Sequence, residues 1–324
     1  MQPTTSQPTT SVVADIGGTN ARFAWLDAAG NPVGMQALPV RDYAGIADAF
    51  VAFTGGVPVE RASVAVACPV NEDLIKLTNS PWVFSKRDTQ ARLKLARFDV
   101  INDFTAQALA LPRLTGADLV SVGPAIPVRA GEPLAVVGPG TGLGVGGLLP
   151  VGPNRWVPIS GEGGHVSFGP VDALEREVLA RLSQRFERVS TERILCGAGL
   201  VLLHKTLEEI EGRPDDGLTD AAAITTAGLA ADGPARATLL RFLAILGSVA
   251  GDVALTLGAT GGTFIGGGIT PRLLPLVPES QLLARFHDKG RVGRMLKDAA
   301  LNVVVAPWAA LHGAAARLDH PAPG

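Results

Sequence analysis

Short apolar runs with β-like spacing alternate along this chain with longer runs of helical spacing. VVADIGG (12–18), ARFAWLD (21–27), SVAVACPV (63–70), LIKL (74–77) and FDVIND (98–103) are dense in β-branched and aromatic residues and predict strands. YAGIADAFVAF (43–53) and TAQALALPRL (105–114) predict helices. A Pro/Gly-rich connector over 123–133 precedes a fresh strand–turn–strand pattern, LAVVGPGTGLGVGGLLPV (134–151). Helices are predicted over 171–188, 192–211, 219–231 and 235–257. Strands follow at TFIGGGI (263–269) and NVVVAP (302–307), with a closing helix at WAALHGAAARL (308–318). The pattern predicts an α/β protein with mixed sheets, and the restart near residue 115 predicts two domains with one sheet each.

Two of the strand pairs are joined in an unusual way. Between Val12–Ala14 and Ala21–Leu26 lie Asp15, Gly17, Gly18, Thr19 and Asn20, where a hairpin needs two turn residues; residues 138–147, GPGTGLGVGG, repeat the design. Glycine takes up left-handed backbone at little cost and has no Cβ, so successive N–H groups can converge on an anion, and a Thr hydroxyl adds a donor. Taken singly, each turn reads as well as a plain tight hairpin. Together they predict two grips on one polyphosphate. There is no GxxxxGK[ST], and the GxGxxG formed by Gly142, Gly144 and Gly147 runs into a strand instead of the helix a dinucleotide site needs.

Composition narrows the partners. The chain has 324 residues, is 47% hydrophobic and carries a net charge of −2, with no basic stripe for nucleic acid or a membrane surface. Cys68 and Cys196 lie outside any CxxC spacing and predict two reduced thiols. The polar opening MQPTTSQPTTS does not resemble a signal peptide and predicts a frayed tail over 1–10. Asp252 and several glycines interrupt the most apolar stretch, 243–269, which argues against a membrane span and for a cytoplasmic protein.

Seven segments in order, DIGGTNARF (15–23), LTNSPW (77–82), INDFTAQALALP (101–112), GPGTGLGVG (138–146), EGGHVSFGP (162–170), ERILCGAGL (192–200) and FIGGGITPR (264–272), resemble the bacterial ATP-dependent glucokinase family. That family belongs to the hexokinase, actin and heat-shock chaperone ATPase superfamily. The related repressor and sugar-kinase group shares the DxGGT turn but usually carries a cysteine-rich zinc motif, which two cysteines cannot supply. The resemblance implies a two-domain actin-like (ribonuclease H-like) fold with a central cleft. A small domain of 11–113 plus 305–324 and a large one of 114–304 would bind ATP, Mg²⁺ and glucose in the first step of glycolysis. Sugar-driven closure would exclude water.

Phosphoryl transfer to an alcohol needs a base, charge on the phosphates and alignment. Asp103, at the carboxyl end of a strand, has the chemistry of a base. On position alone a helix N-cap is the better reading, and the resemblance reverses that in favour of the base. The resemblance implies that Asn102, Asp103, Glu162, His165 and Glu192 contact the sugar, with Asn79 a further candidate. Each has a plainer role. Glu162 and His165 form ExxH, but Gly163 and Gly164 between them argue against a metal-binding helix. Glu192 suits the first turn of a helix, and Asn79 suits a turn before Ser80–Pro81.

On the nucleotide side, Ala14, Asp15, Ile16, Gly17, Gly18, Thr19, Gly140, Thr141 and Gly142 are the expected ATP contacts, and Gly266, Gly267 and Gly268 are expected to bed the adenosine. An acid beside phosphate repels it unless a cation intervenes, so Asp15 is assigned to Mg²⁺ through water; Arg22 is left without a role. A sugar-responsive regulator is disfavoured because only about ten polar residues precede the first strand, too few for a DNA-binding domain. An actin- or chaperone-like ATPase would have no use for INDF, EGGH and TER together. The apolar C-terminal helix and Leu-rich 273–283 suit a core or a symmetric homodimer interface.

Overall fold

Val12, Ala14 and Ile16 alternate with Val13 along β1 (Ser11–Ile16), so the strand offers one apolar face to each side of a covered sheet. A computed structural model describes residues 10–153 and 155–320. The chain divides into two compact units, one taking the chain through Thr115 and from Ala306 onward, the other Gly116–Val305. Of the tail expected over 1–10, positions 1–9 lie outside the described residues. Thr10 is already held, its carbonyl accepting the Glu60 and Arg61 amides at 2.7 and 3.1 Å.

In the first unit β2 (Asn20–Leu26) and β3 (Pro32–Pro39) add antiparallel to one side of β1. β4 (Arg61–Val66) adds parallel on the other, after helix α1 (Ile46–Thr54). A two-stranded excursion, β5 (Leu74–Lys76) and β6 (Val83–Ser85), leads through α2 (Lys86–Arg92) to β7 (Arg97–Asn102), parallel to β4, and on into α3 (Asp103–Ala110). The sheet order is β3-β2-β1-β4-β7. Val12, Ala14 and Ile16 pack with Phe23, Phe50 and Trp82 on one face. On the other, Val13, Ala24 and Leu26 meet Leu311, Ala314, Ala315 and Leu318 of the C-terminal helix Ala309–Asp319. That helix crosses α3 closely enough that a Cβ on Gly313 would lie 1.6 Å from the Ala106 carbonyl oxygen.

The second unit repeats the winding. β8 (Leu119–Ser121) is an edge strand; β9 (Leu134–Pro139), β10 (Leu143–Gly152) and β11 (Arg155–Gly161) form the antiparallel run. Helices α4 (Ala173–Ser183), α5 (Gly197–Glu211), α6 (Ala221–Ala230) and α7 (Pro234–Leu257) precede β12 (Gly262–Ile265). α8 (Leu282–His287) precedes β13 (Leu301–Val304), and the order is β11-β10-β9-β12-β13-β8. In each sheet an antiparallel three-strand meander continues into two parallel strands. Parallel strands align their carboxyl ends along one edge, and the glycine turns lie on those edges.

Among the described residues α7 is long and apolar enough to cross a membrane, and 67% of its most apolar window is buried in the unit, as befits a core helix. Leu273, Leu276 and Leu282 belong to the same core, with Leu274 and Leu283 partly buried against it, and Leu311 and Leu318 belong to the core of the first unit. Both cysteines are free and buried.

Candidate active site

The hairpin turn between β1 and β2 is closed by Gly17 N–H donating to the Asn20 carbonyl at 3.0 Å. The sequence reading assigns the turn glycines to left-handed backbone, but none of Gly17, Gly18, Gly140 and Gly142 occupies that region. What Gly18 supplies is closeness: a Cβ there would stand 2.3 Å from the Asn79 carbonyl oxygen. The LTNSPW loop therefore rests on the turn. Trp82 anchors that loop, buried, with its indole N–H donating to the Tyr43 carbonyl at 3.1 Å. Asn79 is thus brought beside Gly18 and Thr19, with its side chain exposed.

Ala14 and Ile16 point into the core and pair on both sides within the sheet, so their side chains do not reach the turn surface. Asp15 lies opposite Arg22 in the β1–β2 register, and Arg22 Nη1 donates to Asp15 Oδ2 at 3.2 Å. Burial pushes the Asp15 carboxyl above its ordinary value, and the Arg22 charge and hydrogen bond offset part of the rise. This partner of Asp15 was legible in principle, since counting back across the hairpin pairs position 15 with 22.

At the end of β7 the helix cap is Asn102, not Asp103. Asn102 Oδ1 accepts the Phe104 and Thr105 amides at 2.9 and 3.3 Å, and its Nδ2 donates to the Cys68 carbonyl at 3.4 Å. Asp103 stands at the first helical position, with Oδ1 accepting the Phe104 amide at 3.0 Å. Capping, the plainer explanation of Asp103, belongs to its neighbour. Burial, with the Asp103 charge nearby, pushes the Cys68 thiol upward.

In the second unit three predicted segments converge. The Gly140 amide donates to the Gly142 carbonyl (2.8 Å), and the Gly140 carbonyl accepts the Gly197 amide at the start of α5 (2.9 Å). Glu192 lies in the turn before α5, not in its first helical turn, which removes the helix-dipole explanation for it. Its Oε2 accepts the Leu143 amide at 2.8 Å, and its Oε1 faces His165 Nε2 at 3.7 Å. A Cβ on Gly142 would lie 2.5 Å from that carboxylate.

EGGH forms one 3-10 turn, Gly163–His165, pressed on β10: a Cβ on Gly164 would lie 2.1 Å from the Leu143 carbonyl oxygen. The Gly164 carbonyl accepts the Glu192 amide at 2.8 Å, while Glu162 and His165 remain exposed. Gly267 does take left-handed backbone (φ 77°) against the Pro139 carbonyl, and the Gly266 amide donates to the Val137 carbonyl, setting 266–268 beside the Gly140–Gly142 turn. Around Gly140 and Gly268, chain neighbours aside, no atom among the described residues comes closer than 4.0 Å to a Cβ position, so their lack of a side chain leaves open space. A separate cavity of about 300 Å³ opens behind the EGGH turn, with Val145, Val166, Phe168, Val249 and Val253 in its walls beside Ser167, Thr191 and Asp252.

Two like-wound sheets, each with a glycine hairpin at its carboxyl edge, define a protein of the two-domain, actin-like ATPase class. The glucokinase family model matches residues 12–321. A glucokinase of Chromohalobacter salexigens is 43% identical over 314 residues, 96% of this chain and 98% of that protein. One of Chromobacterium violaceum is 44% identical over 317 residues, 96% and 90% of the two chains. The crystal structure of a glucokinase from an Antarctic psychrotroph superposes with a TM-score of 0.86 at 36% identity, covering 95% of this chain and 98% of that one. The chain belongs to the glucokinase family.

Proposed function

We propose that this protein is an ATP-dependent glucokinase that moves the γ-phosphoryl group of ATP to the 6-hydroxyl of D-glucose, with Asp103 as general base. The observation that carries the reading is Glu192: one oxygen holds the amide that follows the Gly140–Gly142 turn, and the other faces His165. Groups suited to phosphate and groups suited to a sugar thereby form one connected unit, which a plain hairpin would not require.

In this reading the Gly17–Thr19 turn of the first unit and the Gly140–Gly142 turn of the second bind the phosphates, with Gly17 and Gly140 shaping the turns through their own amide bonds, and Gly266–Gly268 bed the adenosine. Asn79, Asn102, Glu162, His165 and Glu192 fix the sugar hydroxyls, which need donors and acceptors in a set pattern. Asn102 keeps one amide N–H for this after its bond to Cys68. Asp103 accepts the 6-hydroxyl proton as the oxygen–phosphorus bond forms and the bond to the departing ADP breaks. Asp15 fits Mg²⁺ held through water, because burial leaves its charge poorly solvated and Arg22 engages only one of its oxygens. When bound, the ion neutralises charge on the phosphate oxygens. The protein would work in the cytoplasm.

Glucose-dependent ADP release, read by a coupled assay, tests this. Asp103→Asn should lower kcat by about 10²–10⁴-fold with glucose affinity by calorimetry largely kept. Turnover near wild type would refute the base. The same assay over mannose, fructose and glucosamine separates a strict glucokinase from a broader hexose kinase.

A further inference from the structure

His204, Glu208 and the PDDG segment at 214–217 take no part in the site described above. His204, on α5, is fully buried. Its Nδ1 lies 2.8 Å from Thr238 Oγ1 on α7. Thr238 gives its only hydroxyl proton to the Pro234 carbonyl at 3.0 Å, so towards His204 it is an acceptor and the ring proton of the neutral imidazole sits on Nδ1. Nε2 then presents a lone pair, yet it faces Asp216 Oδ2 at 2.9 Å and Glu208 Oε1 at 3.7 Å. Three acceptors pointing at one another are repulsive unless a positive charge, either a second ring proton or a metal ion, stands among them.

The surrounding charge asks for the same thing. Lys205 Nζ binds the outer oxygens, Glu208 Oε2 at 3.1 Å and Asp216 Oδ1 at 3.3 Å, together with Asp215 Oδ1 at 2.5 Å. Three carboxylates against one ammonium leave two negative charges, and the inner oxygens remain turned to His204. The ligands are also held from behind, as metal ligands commonly are. Thr238 fixes the ring, the Leu218 amide donates to Asp216 Oδ1 at 3.0 Å, and the Asp216 amide donates to Glu208 Oε1 at 3.1 Å.

We propose that His204 Nε2, Glu208 Oε1 and Asp216 Oδ2, which lie within 4.8 Å of one another, form a binding site for a divalent transition-metal ion of the zinc type. An imidazole with two carboxylates suits Zn²⁺ and leaves a fourth position for water, whereas Mg²⁺ prefers an all-oxygen shell. The ion clamps the segment after α5 to α5 and α7 of the second unit. The site is structural, and it is separate from the residues assigned to ATP and glucose.

The full chain, stripped with EDTA and exchanged into buffer with excess MgCl₂, is titrated with ZnCl₂ by calorimetry, and its melting temperature is followed alongside. One saturable site should appear, with a higher melting temperature in zinc. Asp216→Asn, a substitution at a partly exposed loop position, should abolish both effects, and Glu208→Gln should weaken binding by about tenfold or more. Lack of saturable binding, loss of binding to the excess Mg²⁺, or zinc binding that survives in Asp216→Asn would each overturn the proposal. None of these readouts depends on glucose phosphorylation.

Discussion

Gly140→Ala separates a ligand's demand for glycine from the protein's own. At this position φ lies outside the left-handed region, and the nearest protein atom to an added Cβ, the Gly142 carbonyl oxygen, is 4.0 Å away. The fold therefore has no steric objection to alanine. Removing glycine's freedom from the unfolded chain should raise stability by about 0.4–1 kcal/mol. If phosphate oxygens come within hydrogen-bond distance of this turn, the methyl group occupies part of their space and displaces them by about 1 Å, enough to cost about 10²-fold in rate. Thermal melting and ADP release at varied ATP and saturating glucose give the two readouts. The expected result is a melting temperature equal to or above wild type with kcat/KM for ATP sharply reduced. An unchanged kcat/KM would mean that no phosphate lies over Gly140, and the assignment of the turn would fail.

Gly18→Ala should behave differently, because its Cβ would stand 2.3 Å from the Asn79 carbonyl, about 1 Å inside ordinary contact. It should destabilise by about 1–3 kcal/mol in urea unfolding and weaken glucose and ATP together, since the LTNSPW loop must move. Asn102→Ala removes an N-cap that accepts two amides and should cost about 1 kcal/mol by the same measurement, while Asp103→Asn leaves stability nearly unchanged. For Asp172, the cap of α4, burial alone would raise the carboxyl. The Glu175 amide, Arg241 and Arg285 outweigh it and hold the group below its ordinary 3.8. The native state then binds fewer protons than the unfolded one between that lowered value and 3.8, so this contribution to stability is present above 3.8 and is lost as pH falls through the window. Urea midpoints measured down the acid limb should fall less steeply in Asp172→Asn than in wild type.

The amino-acid sequence by itself determined the strand and helix types of the long periodic segments, the two glycine hairpins and the acids beside them, because local periodicity and turn chemistry are written in neighbouring residues. It did not reveal β3 or β11. Five consecutive residues of β3, Val33–Leu38 short of the last, are exposed, and β11 is an edge strand without buried positions, so neither carries the alternation that marks a half-buried strand. It began the helix at Glu192 because an acid after Ser190–Thr191 imitates a helix start; the real start at Gly197, capped by Cys196, depends on the Gly197 amide reaching Gly140. Only the tertiary structure decided that Asn102 caps α3 in place of Asp103 and that Glu192 joins the glycine turn to EGGH. Those assignments are contacts between residues up to about fifty positions apart, and whether a glycine serves backbone conformation or close approach depends on which distant atom lies opposite it.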